Sequence, residues 1–393
     1  MNTLTRLRKS SFIALMILLT AGGLSAAKQN ETPRGEAEHS DLLRVENAKI
    51  EKRTVTGTLA ATVADLEKNA TGPVWVGYAV TAVAGKRSIC CENYNDGETF
   101  RKCGLETDRE NWGGKKARNG GITDRKDSGS GANPNVVKLE GRQRLVVLFR
   151  MQDKKLMRIK VASDDCVLDA GGLNFVWLTD VKPAESVEFL STYARNEHLE
   201  SYGGHSIGNE ALTAIALHGG PEAEGALESF AAPAQPEELR KQAAFWLGAA
   251  RGKQGVAALQ RMAKKDPFSE VRAHVAFALS ISKEPAALDE MVRMAHEDES
   301  GHVRGQAIFW LAQKAGSRAV SAIDGAIAND PDTDVKKQAV FALSQLPKDE
   351  GVPKLIQIAE NNRNPEVRKQ AMFWLGQSQD PRALGFFEKV LLK

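Results

Sequence analysis

Four cysteines, Cys90, Cys91, Cys103 and Cys166, are the side chains of this sequence best suited to covalent or metal chemistry, and all lie in its first half. No pair of them has the Cys-x-x-Cys spacing of a zinc or thioredoxin-like site. An even number of cysteines in an exported chain points to disulfides instead. Adjacent Cys90 and Cys91 bond poorly to each other because the geometry is strained, which leaves Cys103 and Cys166 as their partners in either order. A bridge from Cys90 or Cys91 to Cys166 would tie an early strand to a later hairpin. The alternative use of these residues is an enzymatic or redox site around Cys90, Cys91 and Cys166.

Other candidates for chemistry fail on spacing. Asp330-Pro331-Asp332-Thr333-Asp334 has the composition of a calcium loop, but it falls where a repeated segment turns and where sister copies also carry acidic residues. Asn93-Tyr94-Asn95-Asp96-Gly97-Glu98 suits a left-handed turn better than a metal. His198, His205 and His274 lack the spacing of a metal-binding pair, and no Gly-x-Ser-x-Gly elbow occurs. The expectation is therefore no catalytic residue, no metal and no cofactor.

The 53 Lys and Arg residues are balanced by 50 Asp and Glu, for a net charge of +3, with no dense basic run after the first residues. Nothing here would neutralise a phosphate backbone, so nucleic acid is not the expected partner. The chain starts with Arg6, Arg8 and Lys9, continues with the apolar residues 12–19, and reaches small residues ending Ser25-Ala26-Ala27. Basic, apolar, small is the order of a secretory signal peptide, and the apolar run is short for a membrane span. Cleavage is expected after Ala27, with an uncleaved anchor as the alternative. Residues 1–27 are read as the signal, 28–46 as a flexible lead, and the mature chain as periplasmic or secreted with no stable membrane span.

The elements that would position the cysteines form a small α+β domain over residues 47–182. Residues 58–66 have helical spacing, whereas 74–80 are dense in strand formers. Residues 145–151 and 156–161 read as a hairpin with one buried face, since Met157, Ile159 and Val161 alternate with Arg158 and Lys160. Residues 175–178 add another strand. The glycine-rich stretch 104–135 cannot bury enough apolar area to offset chain entropy and is expected to be a mobile insert. Residues 184–195 are an amphipathic helix within a junction, 183–206.

From residue 207 onward one pattern returns. Leu239, Val271, Val303, Val335 and Val367 stand 32 residues apart, each followed by Arg or Lys, and apolar residues recur zero, four, seven and eight places on, as Val303, Ala307, Trp310 and Leu311. At about 100° per residue these lie on one helix face. A second apolar set, such as Leu288-Met291-Ala295, follows beyond a Gly or Pro breaker, so each copy is a helical hairpin. A copy this small cannot close a core alone, and the period marks an α-solenoid built by stacking.

Asp266, Asp298, Asp330 and Asn362 each precede the basic residue by six places. This Asp-x(4)-Val-Arg arrangement resembles the HEAT-repeat family, and more closely the short bacterial HEAT-like repeats also found in phycobilisome lyases. The resemblance covers residues 207–393 in about six repeats. It implies a ladder between neighbouring repeats through Asp266, Arg272, Asp298, Arg304, Asp330, Lys336 and Arg368. The first copy, beginning at Ile207, lacks the basic residue, as expected of a terminal repeat.

Two further positions stand out. The seventh alternates Trp246, Ala278, Trp310, Ala342, Trp374, which reads as large and small core residues filling space together. The sixth is Phe245, Phe277, Phe309, Phe341 and Phe373, about 140° from the centre of the core face. Gln306, Gln338 and Gln370 stand one turn before the last three, Gln313, Gln345 and Gln377 one turn after, and Lys241, Lys337 and Lys369 alongside. Five open Phe side chains at about 150 Å² each would exceed the patch a monomer usually exposes, so an open stripe needs a partner. The function this suggests is an exported scaffold that binds a protein or peptide on the stripe. The alternatives are the cysteine-based enzyme and an array that self-associates through its C-terminal helix.

Overall fold

The computed structural model describes residues 42–85, 89–90, 102–106, 135–139, 143–196 and 206–392. Its first part is α+β. A small sheet of four short strands has the order β4 (Lys102–Gly104), β8 (Val167–Asp169), β1 (Leu42–Glu46), β5 (Asn135–Lys138). A larger sheet has the order β2 (Lys49–Thr54), β9 (Asn174–Thr179), β3 (Val74–Thr81), β6 (Arg144–Gln152), β7 (Lys155–Ser163). Pairing of β3 with β9 is parallel, whereas β3–β6 and β6–β7 are antiparallel.

The larger sheet is covered on both faces, which is why its strands read as nearly unbroken apolar runs. Trp75, Val146, Leu148, Phe175 and Trp177 face the small sheet, together with Leu43, Val45 and Leu168. Val76, Tyr78, Val147, Phe149 and Val176 face the helices α1 (Leu59–Asn69) and α2 (Pro183–Ala194). The Trp75 indole, fully buried, donates to Glu106 Oε1 at 2.6 Å, and Arg150 grips the same carboxylate with Nε at 2.9 Å and Nη2 at 3.0 Å.

Three expectations change here. Strand β1 occupies the end of the 28–46 lead, paired on both sides. The β6–β7 hairpin does not have a solvent face: Arg158 is buried because Glu210 meets it at 3.5 Å and accepts from the Ile159 N–H at 2.8 Å. The insert assigned to 104–135 begins and ends in strand, with Leu105 buried, and its residues 107–134 lie outside the described residues.

Six helical hairpins follow: α3 (Ile207–Leu217) with α4 (Pro221–Phe230), α5 (Glu237–Ala250) with α6 (Gly252–Lys265), α7 (Ser269–Ile281) with α8 (Ala286–Glu297), α9 (Gly301–Ala315) with α10 (Val320–Asn329), α11 (Thr333–Ser344) with α12 (Lys348–Asn361), and α13 (Pro365–Gln377) with α14 (Pro381–Leu391). Ser206, Asp332, Asn364 and Asp380 cap helix starts with their side chains. The first helices of successive hairpins pack directly on one another and the second helices only lightly, so the first helices make the closer, inner row of the stack. No helix among the described residues is long and apolar enough to cross a membrane.

Successive hairpins are not identical, because the ends of their first helices alternate. Helix α5 is capped at Arg251 with Gly252 following it, and α9 is capped at Gly316; these glycines have φ of 49° and 52°, the left-handed conformation common just past a helix end. Helices α3 and α7 stop at extended residues, His218 and Ser282. Their last carbonyls take a cation from the next first helix instead: Arg251 Nη2 donates to Ile215 O at 3.0 Å, and Lys314 Nζ to Ser280 O at 2.9 Å and to Ser282 O.

The two parts share one apolar core, which passes from the helix-side face of the larger sheet through α2 and α3 into the hairpins. Backbone bonds cross the same seam, from Val83 N–H to Leu217 O at 2.8 Å and from Gly219 N–H to Thr81 O at 2.7 Å.

Candidate functional site

Cys90 and Cys166 are bonded to each other, with Cα atoms 5.2 Å apart, and both are buried between the two sheets. Cys103 is buried and disulfide-bonded as well, and Cys91 lies outside the described residues. The bridge closes the chain between strand β3 and strand β8 and leaves neither sulfur as a thiol nucleophile.

The junctions between hairpins carry charge in a regular way. Arg272 forks onto Asp298 with Nε at 2.9 Å and Nη2 at 3.0 Å, and Arg304 forks onto Asp330 at 2.7 and 2.9 Å. Each also donates backward, Arg272 to Asp266 O at 2.9 Å and Arg304 to Asp298 O at 2.8 Å. The aspartates in turn accept from the N–H two residues on, so one carboxylate both caps a turn and binds the preceding repeat. Burial pushes the Asp330 carboxyl up, but the bonds from Arg304 and the Asp332 N–H outweigh it and hold it below the usual range. That role accounts for the calcium-like run at 330–334. Arg240, with Asp266, adds a rung that the inferred ladder omitted. The ladder also stops early: Asn362 offers no charge, Lys336 reaches Ala328 O at 3.3 Å, and Arg368 finds carbonyls, Asn362 O at 2.8 Å and Arg363 O at 3.2 Å.

The inner row carries the aromatic residues, arranged as one run rather than as separate stripes. Trp246 meets Phe245 at 5.1 Å between ring centres, Phe245 stacks on Phe277 at 6.2 Å, and Phe277 meets Trp310 at 4.9 Å. Trp310 meets Phe309 at 4.8 Å, Phe309 stacks on Phe341 at 5.8 Å with planes 5° apart, and Phe341 meets Trp374 at 4.7 Å. Phe373 closes the run on Trp374 at 5.0 Å. Phe245, Phe277, Phe309 and Phe341 are half-buried, and Phe373, with no following ring to stack on, is 54% exposed. Trp246, Trp310 and Trp374 are half-buried too: they pack against the core, as their position suggested, and each also meets a Phe of the preceding helix or its own.

The amides edge this run. Gln306, Gln338 and Gln370 are all half-buried, and Gln338 lies over Gly305, where any Cβ would collide with its Oε1. That oxygen and the Trp374 Nε1–H are buried without a hydrogen-bond partner. Lys241 and Lys337 stand alongside, tied to Glu237 and Glu238 at 3.2 Å and to Asp334 at 2.7 Å.

One polar cluster went unseen in the sequence. Tyr78 Oη and Ser186 Oγ are 2.6 Å apart, Ser186 Oγ and His218 Nε2 2.8 Å, and His218 Nδ1 and Ala214 O 2.7 Å, all fully buried. Since Nδ1 must donate to the carbonyl, Nε2 accepts from Ser186, and Ser186 accepts from Tyr78. Burial, reinforced by the Arg251 charge, pushes the His218 pKa down to about 4 despite the Ala214 bond. A Ser–His contact could suggest nucleophilic chemistry, but with every group satisfied and no solvent access it joins sheet, α2 and α3. Only its three-dimensional assembly from residues 78, 186 and 218 reveals it.

A family model described as HEAT repeats matches residues 223–312 and 321–393. No curated protein matches the sequence. Among solved structures the chain is similar to human deoxyhypusine hydroxylase in complex with glycerol, at 16% identity over 53% of this chain and 90% of that one, TM-score 0.25. It is similar to YibA of Escherichia coli at 16% identity over 53% and 76%, TM-score 0.31. It is also similar to the complex of CpcE and CpcF of phycocyanin lyase from a Nostoc species, at 16% identity over 53% and 83%, TM-score 0.25.

Proposed function

We propose that this protein, whose C-terminal half is built of HEAT repeats, is an exported scaffold that holds a protein or peptide along the inner row of its solenoid. The observation that carries the reading is the unbroken run of eight aromatic rings from Trp246 to Phe373, half-open to solvent and edged by amides. Rigid aromatic anchors with a hydrogen-bonding rim are the usual composition of a binding hot spot. Export is supported by the basic, apolar, small order of residues 1–27 and by the buried Cys90–Cys166 bridge, a bond that persists in oxidising compartments. The test is Phe373→Ser, since that ring is already more than half exposed and its loss leaves no cavity. With capture of partner from the source organism's envelope extract as the readout, affinity should fall about thirty-fold at unchanged Tm. Unchanged capture by a normally folded variant would remove the ribbon from the binding surface.

A second reading, self-association through the last hairpin, is favoured by a separate observation. Of the eight large apolar residues exposed among the described residues, five are Phe373, Leu384, Val390, Leu391 and Leu392. Solution mass distinguishes it: Leu384→Lys should leave a monomer a monomer, and would split an end-to-end dimer.

A further inference from the structure

Three first helices, α3, α7 and α11, end with no residue of positive φ at the cap or just after it, unlike α5 (Gly252), α9 (Gly316) and α13 (Gln379), so their last carbonyls need another partner. Arg251 supplies it to α3, and Lys314 to α7. Lys314 stands 11 residues after Val303, and the residue 11 after Val367 is Ser378, which cannot reach across as Lys314 does. The cation that closes α7 therefore has no counterpart at α11. Ser344 and Leu346, equivalent by repeat position to the residues whose carbonyls Lys314 binds, line an open groove of about 160 Å³ with Ser378, Val352 and Trp374.

The walls of this groove suit a cation on an aliphatic stem. The C-terminal end of α11 carries the negative end of its dipole and free carbonyl lone pairs. Trp374 offers an indole ring beside it, a favourable neighbour for an ammonium. Lys348 also borders the groove, but it lies close enough to Asp380 to help Arg382 hold that carboxyl down to about 2. Because Trp374 belongs both to the groove and to the aromatic run, the two surfaces are continuous.

We infer that this groove takes the ammonium of a lysine side chain presented by the polypeptide lying along the aromatic run, an assignment that rests on the binding reading above. The chain itself shows the mode, in Lys314: an ammonium from one element donating to the two end carbonyls of the helix beside it. The partner would supply from outside what the repeat supplies from within at α7.

Ser378→Lys should fill the groove internally and raise Tm by about 2–4 °C, the shift that one such helix-end contact gives in a protein part this size. Ser378→Met places a similar stem there without charge and should not. Equal melting of the two variants would overturn the inference. As a direct probe, n-butylammonium should move the Trp374 indole N–H resonance of the wild-type full chain and not that of Ser378→Lys, with 1-butanol as the neutral control. No shift, or one shared by butanol, overturns it as well. If Ser378→Lys stabilises and butylammonium binds, but Phe373→Ser leaves partner capture unchanged, the cation site stands and the ribbon's partner is not its occupant. If Phe373→Ser weakens capture and Ser378→Lys does not, the ribbon reading survives and the lysine assignment falls.

Discussion

His218 shows how a single titratable residue can set the acid limit of the fold. Its pKa falls from 6.5 to about 4 on folding, so between those values the unfolded chain binds a proton that the native state does not. Stability is therefore complete above about pH 6.5 and declines as pH drops toward 4, by up to about 3 kcal/mol from this residue. His274, pushed down to about 4 by burial and by Lys241, should act in the same direction. Melting followed from pH 7 to 4 should show that decline, and His218→Asn should be less stable at pH 7 yet less sensitive to acid. The Cys90–Cys166 bridge sets a second limit. It spans 76 residues, for which chain entropy predicts about 4 kcal/mol, so reductant should lower Tm markedly in the wild type and less in Cys166→Ala. Neither the His218 cluster nor the pairing of Cys90 could be read from composition, because each is made by residues far apart in the chain.

At the scale of elements, the repeat was legible because its period is local. Every hairpin breaker and both apolar sets follow from spacing within 32 residues, and six hairpins stand where the pattern puts them. The small sheet was not legible, since its strands of three to five residues are too short to show alternation and pair only across long separations. The Trp rings pack against the core as read, but their partial exposure was hidden for a related reason. A helical wheel places a residue relative to its own helix, whereas Trp310 also meets Phe277 on the helix before. The charge ladder gives the sharpest comparison of rungs. Arg304→Ala would leave Asp330 buried without its cation and should cost about 3–5 kcal/mol, while Arg368→Ala loses only bonds to carbonyls and should cost about 1 kcal/mol. Denaturant midpoints of the two variants check the difference, and equal losses would mean that the ion pairs contribute no more than the carbonyl contacts.

For the whole molecule, the continuity of the core from sheet to solenoid means that the helical repeats are not a detachable half. Ile207, Leu212 and Ile215 of α3 are buried in a core that includes the sheet and α2. A fragment starting at residue 207 should accordingly melt well below the intact chain, and one starting at 183, which keeps α2, should recover only part of the loss. The alternation of helix ends bears on how such a chain could have been inherited. From α3 to α9 cation-capped and glycine-ended helices take turns, and throughout the array the large ring recurs at every second repeat, so the unit of copying is a pair of hairpins, sixty-four residues. Excising residues 269–332 removes one whole pair and brings α5 against α11 with the alternation of large and small side chains, Trp246, Ala342, Trp374, intact. Excising only 269–300 sets two glycine-ended helices side by side, with Trp246 facing Trp310 and Lys314 without its carbonyls. The larger deletion should thus be the better tolerated one, and lengthening or shortening of this array through duplication should proceed by even steps.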